Sequence, residues 1–597
     1  MADYNAPLRD MRFVLNHVVD LAGLAKLAGF EAAEPDLIDA VLEEAAKFAA
    51  GVIAPTNRAG DLQGARLENG VVRTADGFKE AFRQFAEAGW GSIPFEADWG
   101  GGGLPWAVAM AVQEMITSAN MAFSLCPLLN QGAIELLTAH GSEQQKKTYL
   151  QNMVAGKWTG TMNLTEPQAG SDVGALRSRA VKQPDGSYRI TGTKIFITYG
   201  EHDMAENIVH LVLARTPDAP AGTKGISCFI VPKYMVNADG SLGAHNDLRC
   251  VSLEHKLGIH GSPTCVMSFG DQAGATGYLI GEENRGMRYM FTMMNNARLS
   301  VGLQGLAIAE RAYQQAVAFA RERRQGRPLS GSPDGAIIAH PDVRRMLLTM
   351  KSQIEAMRAL IYLNAEAIDL ARHHPDAAVR EARQALVELL TPVSKGWSTD
   401  LGVELASIAV QVHGGMGFIE ETGAAQHMRD ARIAPIYEGT NGIQALDLVM
   451  RKLPLQGGRP VRDFLGGIRG TVGELEKSGD AELAGLAGNL ATATEALAEA
   501  TDWLLRQQAV KPDSVAAGAS PYLRMFGITA GGYLLALSAL RAKAQAAQGD
   551  DQGFARAKLA TARFYIEQIL PQAAALQGAV TAGSALLFAI EPELLTA

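Results

Sequence analysis

A single block of short β-rich runs, set between two long helical stretches, constrains this chain more than any other feature of its sequence. The runs include YRITGTKIFIT and NIVHLVLART, and turn residues such as Pro184-Asp185-Gly186 separate them. Repeated short strands with turns predict a β-barrel or sandwich of roughly one hundred residues. Because the flanking stretches have helical periodicity, we expect an α+β protein that is mostly α, with one β domain in its middle.

The changes of texture divide the chain into five segments. These are an N-terminal helical extension at 1–35, an N-terminal α domain at 36–158, a middle β domain at 159–280, a C-terminal helical bundle at 281–453 and an additional helical domain at 460–597. Residues 454–460 (PLQGGRP) are predicted to form a linker. In the last segment, leucines recur at 3-, 4- and 7-residue steps between Leu483 and Leu504, which predicts a helix with one apolar face.

Composition argues against several classes of function. The formal net charge is −9, whereas nucleic-acid binders are more often basic, so no nucleic-acid partner is expected. No G-x-G-x-x-G lies between a predicted strand and a helix, which argues against a Rossmann site, and neither a P-loop nor a G-x-S-x-G elbow occurs. Four cysteines form no CxxC motif or metal-ligand spacing, which predicts buried thiols and no metal site.

The sequence also predicts where the protein resides. The start, MADYNAPLRDMRF, is polar and has no apolar signal-peptide core. The most membrane-like stretch, 569–590, is interrupted by Pro571 and Gly583, so we expect a buried helix there and no integral membrane segment. Buried thiols fit a reducing compartment, and a cytoplasmic location is the expectation.

Two motifs at the β domain carry residues suited to holding a cofactor. The loop TEPQAGSD, at 165–172, offers hydroxyls, a flexible glycine and backbone N–H groups that can cradle a phosphate or a flavin edge. A plain turn into the first strand is the alternative. In KIFIT, at 194–198, Phe196 and Thr198 lie two apart and face one side of a strand, where they can cover and hydrogen-bond a flat ring. Core packing is the alternative.

Two further motifs lie in the second helical stretch. Glycines in QVHGGMGF, at 411–418, allow another backbone to come close, although taken alone they are better explained by a helix–helix turn. His413 is expected to be structural. In IYEGTNG, at 436–442, Glu438 stands beside a glycine at a predicted helix start. That carboxylate either caps the helix or projects into a pocket.

Together, in this order, the four motifs resemble those of the acyl-CoA dehydrogenase family. Further matches are the segment from Glu254 to Phe269, the turn GEENRGM at 281–287, and Arg429, Asp430 and Arg432 before the glutamate. The resemblance covers roughly 36–452. The lead-in and the long C-terminal unit resemble a larger bacterial subgroup, which includes 3-(methylthio)propanoyl-CoA dehydrogenases and some enzymes for longer fatty acyl chains.

The resemblance implies a fold, a reaction and partners. The fold is an N-terminal helical domain, a middle β-barrel and a C-terminal four-helix bundle, here with the additional helical domain. The reaction is FAD-dependent α,β-dehydrogenation of an acyl-CoA thioester to the trans-2-enoyl-CoA, a step of fatty acid β-oxidation. Electrons pass to an electron-transferring flavoprotein. The family forms homodimers or dimers of dimers, with FAD across a subunit interface.

The resemblance also assigns roles to individual residues. Glu438 is the catalytic base, because Ala297, the position that carries the base in some relatives, cannot take a proton; Glu420 and Glu421 are expected to be surface charges. Phe196 stands where the family commonly has Trp. The residues expected to contact FAD are Met162, Leu164, Thr165, Ser171, Phe196, Thr198, Thr440 and Asn441, with Gln411, Gly414 and Gly415 reaching the FAD of the neighbouring subunit. Those expected to contact substrate are Ser171, Asn295, Arg298 and Gly439.

Two rival functions remain open at this point. An acyl-CoA oxidase shares the fold and the glutamate and often has an additional C-terminal helical unit, but it passes electrons to O₂. A non-enzymatic flavin- and DNA-binding homologue is the other. The acidic net charge and the presence of Glu438 argue against the latter.

Overall fold

The computed structural model of the chain describes residues 4–329, 335–549 and 551–596. Residues 1–3, 330–334, 550 and 597, which belong to the predicted N-terminal extension, bundle and C-terminal domain, lie outside the described residues. The order of elements along the chain is helical, then β, then helical to the end, as the sequence texture predicts.

The N-terminal part is helical and contains one hairpin that the sequence analysis did not predict. The hairpin joins β1 (Arg66–Glu68) to β2 (Val71–Arg73) through Asn69 and Gly70, whose φ angles are 51° and 80°. An Asn-Gly pair with two positive φ angles is the favoured two-residue hairpin turn. The helices are α1 (Leu8–His17), α2 (Leu21–Leu24), α3 (Pro35–Phe48), α4 (Ala54–Gln63), α5 (Phe78–Glu87), α6 (Trp106–Ala119), α7 (Met121–His140) and α8 (Glu143–Val154), with a π-helical turn between α3 and α4.

Ten strands form the middle domain. They are β3 (Trp158–Asn163), β4 (Arg179–Lys182), β5 (Tyr188–Thr198), β6 (Asn207–Ala214), β7 (Ser227–Pro232), β8 (Tyr234–Val236), β9 (Leu242–His245), β10 (Leu248–Leu253), β11 (Thr264–Phe269) and β12 (Ala275–Leu279). Eight of them make one sheet in the order β10-β11-β5-β12-β7-β6-β3, with β4 also on β5, and β8 pairs with β9. Only the β3–β6 pair is parallel among these described strands.

The large sheet curls because its longest strand serves two neighbours. The first part of β5 pairs with β12 and its second part with β11. At the far end of the hydrogen-bonded path, β3 returns to lie against β5. This curvature encloses a small core of its own, which includes Ile190, Val212 and Phe229. The middle domain is therefore barrel-like, as expected from the short, evenly spaced strands.

Three long helices, with shorter ones at one end, form the bundle that follows. They are α9 (Gly286–Glu322), α10 (Pro341–His373) and α11 (Ala377–His413), followed by α12 (Ala424–Ala431) and α13 (Asn441–Asp447). The axes of α9 and α11 come very close at Gly305, where an added Cβ would lie 2.1 Å from the carbonyl oxygen of Ser398. Such backbone contact is possible only for glycine, and it brings the side chains of α9 and α11 on either side of it together.

The additional C-terminal domain packs directly onto the bundle. It contains α14 (Arg459–Glu476), α15 (Ala481–Gln507), α16 (Pro512–Ala517), α17 (Ala519–Ala547), α18 (Gln552–Phe564), α19 (Pro571–Ala575) and α20 (Gln577–Thr581). Helix α17 lies against α10 and α11. The indole of Trp397 on α11 sits against Gly527 of α17, where an added Cβ would approach Trp397 Cγ to 2.2 Å. The core of this domain is continuous with the core of the bundle and of the N-terminal helices.

The structure corrects one prediction about the end of the chain. The stretch 569–590 is not a single buried helix: it divides into α19, α20 and a 3-10 turn (Ala585–Phe588). Leu586 and Phe588 are 75% and 76% exposed. Pro571 begins a new helix because it has no N–H to continue the previous one, and Gly583, with φ of 78°, ends the helical path.

Membrane and thiol expectations can be compared with the fold. By length and composition, α17 is the one described helix apolar enough to cross a membrane, and 78% of its most apolar window is buried inside the protein. That burial is typical of a core helix. The four cysteines are buried free thiols, as predicted. Within the described ranges, no group of three His, Cys, Asp or Glu side chains is arranged to hold a metal ion.

Candidate active site

Glu438 lies in the loop between α12 and α13, in a backbone conformation that few side chains adopt. Its φ is 56°, and Gly439 follows with a φ of 81°. Two successive left-handed residues make a tight turn, which Asn441 closes by donating its N–H to the carbonyl of Pro435 at 3.0 Å. Such strain at a carboxylate is a feature of functional sites, where the surrounding structure has to maintain it.

The carboxyl group of Glu438 has a pKa close to neutral pH. Some of its surface remains accessible to solvent, but protein atoms surround it closely. Burial raises its pKa to about 7, although the positive charges of Arg298 and Lys395 act in the opposite direction. A carboxyl whose pKa lies near the working pH is well suited to general-base catalysis, because it is both available and basic.

Arg298, on α9, is a buried cation beside this turn. Its Nη1 lies 3.6 Å from a carboxylate oxygen of Asp447, and its Nε has no hydrogen-bond partner among the described residues. Burial lowers its pKa, and Asp447 and Glu438 act to raise it. Asn295, one turn earlier on α9, is exposed. Of these two residues, both predicted to contact substrate, Arg298 lies beside Gly439, where an added Cβ would be 3.6 Å from its Nη2, and Asn295 faces outward.

Lys395, on α11, is a functional candidate that the sequence analysis missed. Its side chain is fully buried, and its Nζ donates to the carbonyl of Gly439 at 3.0 Å and to Asn441 Oδ1 at 2.8 Å. The signal was present in the sequence, since this lysine stands alone in the apolar run LLTPVSKGW between Val393 and Trp397. Lysines are almost never fully buried without a partner, so an isolated one in a core helix deserves a search for that partner.

The side chain of Asn441 is occupied within the chain. Its Nδ2 donates to the Gly396 carbonyl, to Thr399 Oγ1 and to Asp400 Oδ1 at 2.7–2.9 Å. Thr440, the N-cap residue of α13, donates its hydroxyl to the Pro435 carbonyl at 3.2 Å. The side chain of Asn441 and its N–H, which donates to the Pro435 carbonyl, are thus both engaged within the chain, while Thr440 keeps lone pairs to offer.

The loop at 165–172 is anchored by a buried carboxylate, Glu166. The carboxylate accepts hydrogen bonds from Lys194 Nζ, from Ser178 Oγ and from the backbone N–H groups of Arg177 and Ser178. Burial alone would raise the pKa of Glu166, but Lys194 and these donors lower it to about 2. The anchor leaves the hydroxyl-bearing Thr165 partly accessible and Ser171 exposed.

The residues predicted to surround a flavin lie around this loop. Lys194 Nζ also donates to the carbonyl of Leu164 at 3.0 Å, and the N–H of Ile195 donates to the carbonyl of Thr165 at 2.9 Å, which joins the loop to β5. Met162 lies two residues before Leu164, on β3. Met162, Leu164 and Thr165 are thus held beside the end of β5.

A bulge in β5 presents Phe196 to solvent. Ile195 and Phe196 together face the single residue Val266 of β11, and Phe196 has a φ of 59°. The pairing register places Phe196 and Thr198 on one face of β5, and Lys194 and Ile197 on its other face. Phe196 is 58% exposed, which is unusual for a phenyl ring in a sheet. An exposed ring beside a hydroxyl is a surface that a flat heterocycle can cover.

Gln411, Gly414 and Gly415 lie at the other end of α11 and are all exposed. Gln411 follows Lys395 by 16 residues, so at 1.5 Å per residue this end lies about 24 Å along the helix from the lysine that contacts the Glu438 loop. The structure therefore does not bring these three residues to Glu438 of the same chain. His413 is structural, as expected: it is buried, and its Nδ1 bonds to the Ala409 carbonyl at 2.7 Å.

Comparison with known proteins identifies the family. Family models match four consecutive parts of the chain: "Acyl-CoA dehydrogenase, N-terminal domain" at 36–157, "middle domain" at 161–272, "C-terminal domain" at 284–453 and "Acetyl-CoA dehydrogenase C-terminal like" at 464–591. The chain belongs to the acyl-CoA dehydrogenase family. It is accordingly an enzyme of the acyl-CoA dehydrogenase type, and acyl-CoA dehydrogenation is its function in outline.

Similar proteins include relatives of the same length. The chain is 51% identical to a 3-methylmercaptopropionyl-CoA dehydrogenase of Ruegeria pomeroyi, over 98% of this chain and 99% of the relative. It is 36% identical to a butyryl-CoA dehydrogenase of Syntrophomonas wolfei, over 95% of each chain. An acyl-CoA dehydrogenase of Bacillus anthracis, solved in complex with FAD, shares the fold with a TM-score of 0.73 at 19% identity, covering 94% of this chain and 90% of that one.

Proposed function

We propose that the enzyme catalyses FAD-dependent α,β-dehydrogenation of an acyl-CoA thioester to the trans-2-enoyl-CoA, with Glu438 as the base. The observation that carries this proposal is the Glu438 carboxyl itself: it projects from a strained turn, and burial raises its pKa to about 7 beside two buried cations. A surface carboxylate or a helix cap would have neither property. The family to which the chain belongs supports the reaction.

The residues at the β domain fit FAD as the cofactor. The exposed Phe196 ring, the Thr198 hydroxyl and the accessible hydroxyl of Thr165 offer one apolar surface with polar groups at its margin. Met162, Leu164 and Ser171 would complete this side. Thr440 would contact the pyrophosphate region, and Asn441, whose N–H and side chain are engaged within the chain, would hold the loop that presents it. When bound, FAD supplies the acceptor for the hydride that leaves the β-carbon.

Glu438 would act at the neighbouring carbon. Its carboxylate takes the proton from the α-carbon, a contribution of roughly 10²–10⁴ in rate for a well-placed base. Negative charge then develops on the thioester oxygen. In this family the backbone N–H of the glutamate donates to that oxygen, and a preorganised donor of this kind contributes on the order of 10²–10³. The left-handed turn at Glu438 and Gly439 would set the direction of both groups together.

Substrate and subunit contacts complete the proposal. Ser171, Asn295, Arg298 and Gly439 would contact the acyl-CoA. The buried guanidinium of Arg298 lies beside Gly439. Gln411, Gly414 and Gly415 lie too far along α11 to serve their own site, and they would reach the FAD of a neighbouring subunit in a homodimer or dimer of dimers. The identity to the Ruegeria pomeroyi relative supports 3-(methylthio)propanoyl-CoA as the substrate, with short fatty acyl-CoAs as the next class.

The proposal is tested with Glu438→Gln. The amide keeps the shape of the side chain but cannot accept the proton, so we expect yellow, FAD-loaded protein whose flavin absorbance bleaches at least about 10²-fold more slowly on anaerobic mixing with acyl-CoA. Stopped-flow absorbance measures the rate. Glu421→Gln, at an exposed carboxylate of the 3-10 turn Glu420–Thr422, should bleach like the wild type. Rapid bleaching of Glu438→Gln would remove Glu438 from the role.

The electron acceptor is proposed to be an electron-transferring flavoprotein. After bleaching by 3-(methylthio)propanoyl-CoA, butyryl-CoA or a longer acyl-CoA, the reduced enzyme is mixed with that flavoprotein or with air-saturated buffer. We expect fast reoxidation by the flavoprotein and slow reoxidation by O₂. Stoichiometric hydrogen peroxide in air would instead identify an acyl-CoA oxidase, and no bleaching with any thioester would contradict the proposed function.

A further inference from the structure

Lys395 is a fully buried cation that the proposed mechanism does not use. It projects from the middle of α11, and its Nζ donates to two acceptors, the Gly439 carbonyl and Asn441 Oδ1. Both acceptors lie immediately after Glu438, in a loop 44 residues further along the chain. The lysine therefore joins a rigid core helix to the segment that carries the base.

The Glu438–Gly439 turn requires contacts of this kind to maintain its backbone conformation. Glu438 and Gly439 both have positive φ angles, and an L-residue adopts this conformation only when other contacts maintain it. The Gly439 carbonyl accepts from Lys395 Nζ at 3.0 Å and from Gln444 Nε2 at 2.9 Å. Gln444 belongs to α13, the helix that directly follows this loop, whereas Lys395 belongs to α11. Of these two donors, Lys395 is therefore the one that fixes the turn relative to the long helices of the bundle.

Lys395 is itself held in place from behind. Next to it on α11, Gly396 lies so close to Leu523 of α17 that an added Cβ would meet the leucine at 2.8 Å. Trp397 fills the space against Gly527. The additional C-terminal domain thus packs against the turn of α11 that carries Lys395. Because this packing is tight, the backbone of this turn of α11 is fixed relative to α17.

We propose that Lys395 is a positioning residue for the dehydrogenation: it locks the Glu438–Gly439 turn in its left-handed form and, together with Arg298, supplies positive charge that favours the ionised base. This inference rests on the proposed function. The charged groups that act on the base and on this lysine are Arg298 of α9, Asp400 of α11 and, through Arg298, Asp447 of α13. Loss of Lys395 leaves Arg298 as the one cation of this set.

The proton affinities of the two groups agree with this geometry. Burial lowers the pKa of Lys395 to about 7, opposed by the charge of Glu438, while burial raises the pKa of Glu438 to about 7. Each charge stabilises the other, so removal of one favours the neutral form of its partner. A neutral residue at 395 would therefore make the Glu438 carboxylate harder to form.

The experiment uses FAD-loaded enzyme with Lys395→Met, which keeps the length of the side chain but removes the charge and the hydrogen bonds. Lys395→Gln removes the charge and keeps a donor. The matched control is Lys452→Met, because Lys452 pairs with Glu388 in the same part of the chain. The rate of flavin bleaching by acyl-CoA is measured across pH. Independently of turnover, infrared difference titration follows the protonated carboxyl band that Glu438→Gln removes.

For Lys395→Met we expect the acid limb of the rate profile, and the infrared titration, to move up by about one pH unit or more. The limiting rate should also fall by about 10-fold or more, because the turn is no longer fixed. Lys395→Gln should show the pH shift with a smaller loss of limiting rate, and Lys452→Met should match the wild type.

Two other outcomes overturn the inference. Variants at 395 whose rate profile and infrared titration coincide with the wild type would show that the lysine neither positions nor ionises the base. Variants at 395 that cannot be loaded with FAD, while Lys452→Met can, would show a purely structural role. A wild-type enzyme that no acyl-CoA bleaches would instead contradict the proposed function, so the two failures are distinguishable.

Discussion

At the scale of single residues, Glu438 opposes the stability of the folded chain. Its folded pKa is about 7, whereas an unfolded glutamate titrates near 4.5. Between these two values the folded state retains a proton that the unfolded state has released. The favourable contribution of this group is complete below about pH 4.5 and is lost as pH rises through 7. A base that functions near neutral pH is therefore least favourable to folding in the range where it is active.

This opposition predicts how Glu438→Gln changes stability. The amide does not titrate, so the variant should be more thermostable than the wild type at pH 8, by on the order of 1–3 kcal/mol, and the difference should shrink towards pH 5. Calorimetry on FAD-loaded protein at both pH values measures this. Glu421→Gln should show little difference at either pH. A gain in stability that does not change with pH would contradict the assignment.

At the scale of elements, one helix relies on a distant residue for its N-terminal cap. Helix α6 follows Pro105, and no side chain at its own N-cap position accepts its first N–H groups. Asp369 of α10 does so instead, from the N–H of Trp106 at 2.8 Å and of Ala107 at 3.1 Å. Burial raises the pKa of Asp369 to about 7, although both donors act to lower it. The contact joins the N-terminal domain to the bundle.

Removal of that cap has a predictable cost. Asp369→Ala leaves two buried N–H groups without their acceptor, and we expect a loss of about 1–3 kcal/mol in the free energy of unfolding. The control is Asp376→Ala, which removes the exposed N-cap of α11 and should cost only about 0.5–1 kcal/mol. Chemical denaturation of both variants gives the comparison, and equal losses would show that burial of the cap has no effect.

The sequence predicted those elements and site residues whose signal is local. The β domain was expected from 159 and begins with Trp158, because strand alternation and turn residues are read within short windows. The β1–β2 hairpin was missed, although Asn69-Gly70 is a local signal for it. The partners of Lys395 could not be predicted from sequence, because they lie 44 and 46 residues away. The prediction of a buried helix at 569–590 was wrong for the same reason, because the exposure of a segment depends on the rest of the fold.

At the scale of the whole molecule, the additional C-terminal domain is part of the bundle and is not a separate attachment. Helix α17 presents Gly527 to Trp397 and Arg524 to Glu404, both on α11. Because α11 also carries Lys395, this domain supports the helix whose lysine holds the Glu438 loop. Its removal would expose the buried indole of Trp397 and take away the packing behind Lys395.

Two glycine variants test this coupling. In Gly527→Ala the new methyl group would lie 2.2 Å from Trp397 Cγ, so we expect a loss of about 1–3 kcal/mol and slower flavin bleaching. Gly470→Ala, on α14 of the same domain, has open space around it and should gain about 0.5–1 kcal/mol without a change in rate. Thermal unfolding and stopped-flow absorbance are the measurements. Opposite results for the two variants would contradict this supporting role of the domain.

One continuous helix, α11, carries Lys395 near its middle and Gln411 at its end. A straight helix transmits distance and angle together, each added residue advancing it by about 1.5 Å and turning it by about 100°. If the end of α11 inserts into the adjoining protomer, the number of residues between Lys395 and Gln411 determines the distance between the two catalytic centres. Insertion of one residue between Lys395 and Gln411 would rotate and shift the end of α11 away from the neighbouring protomer's active site. The active site of the chain that carries the insertion would be unchanged, so the defect would appear only in the neighbouring protomer.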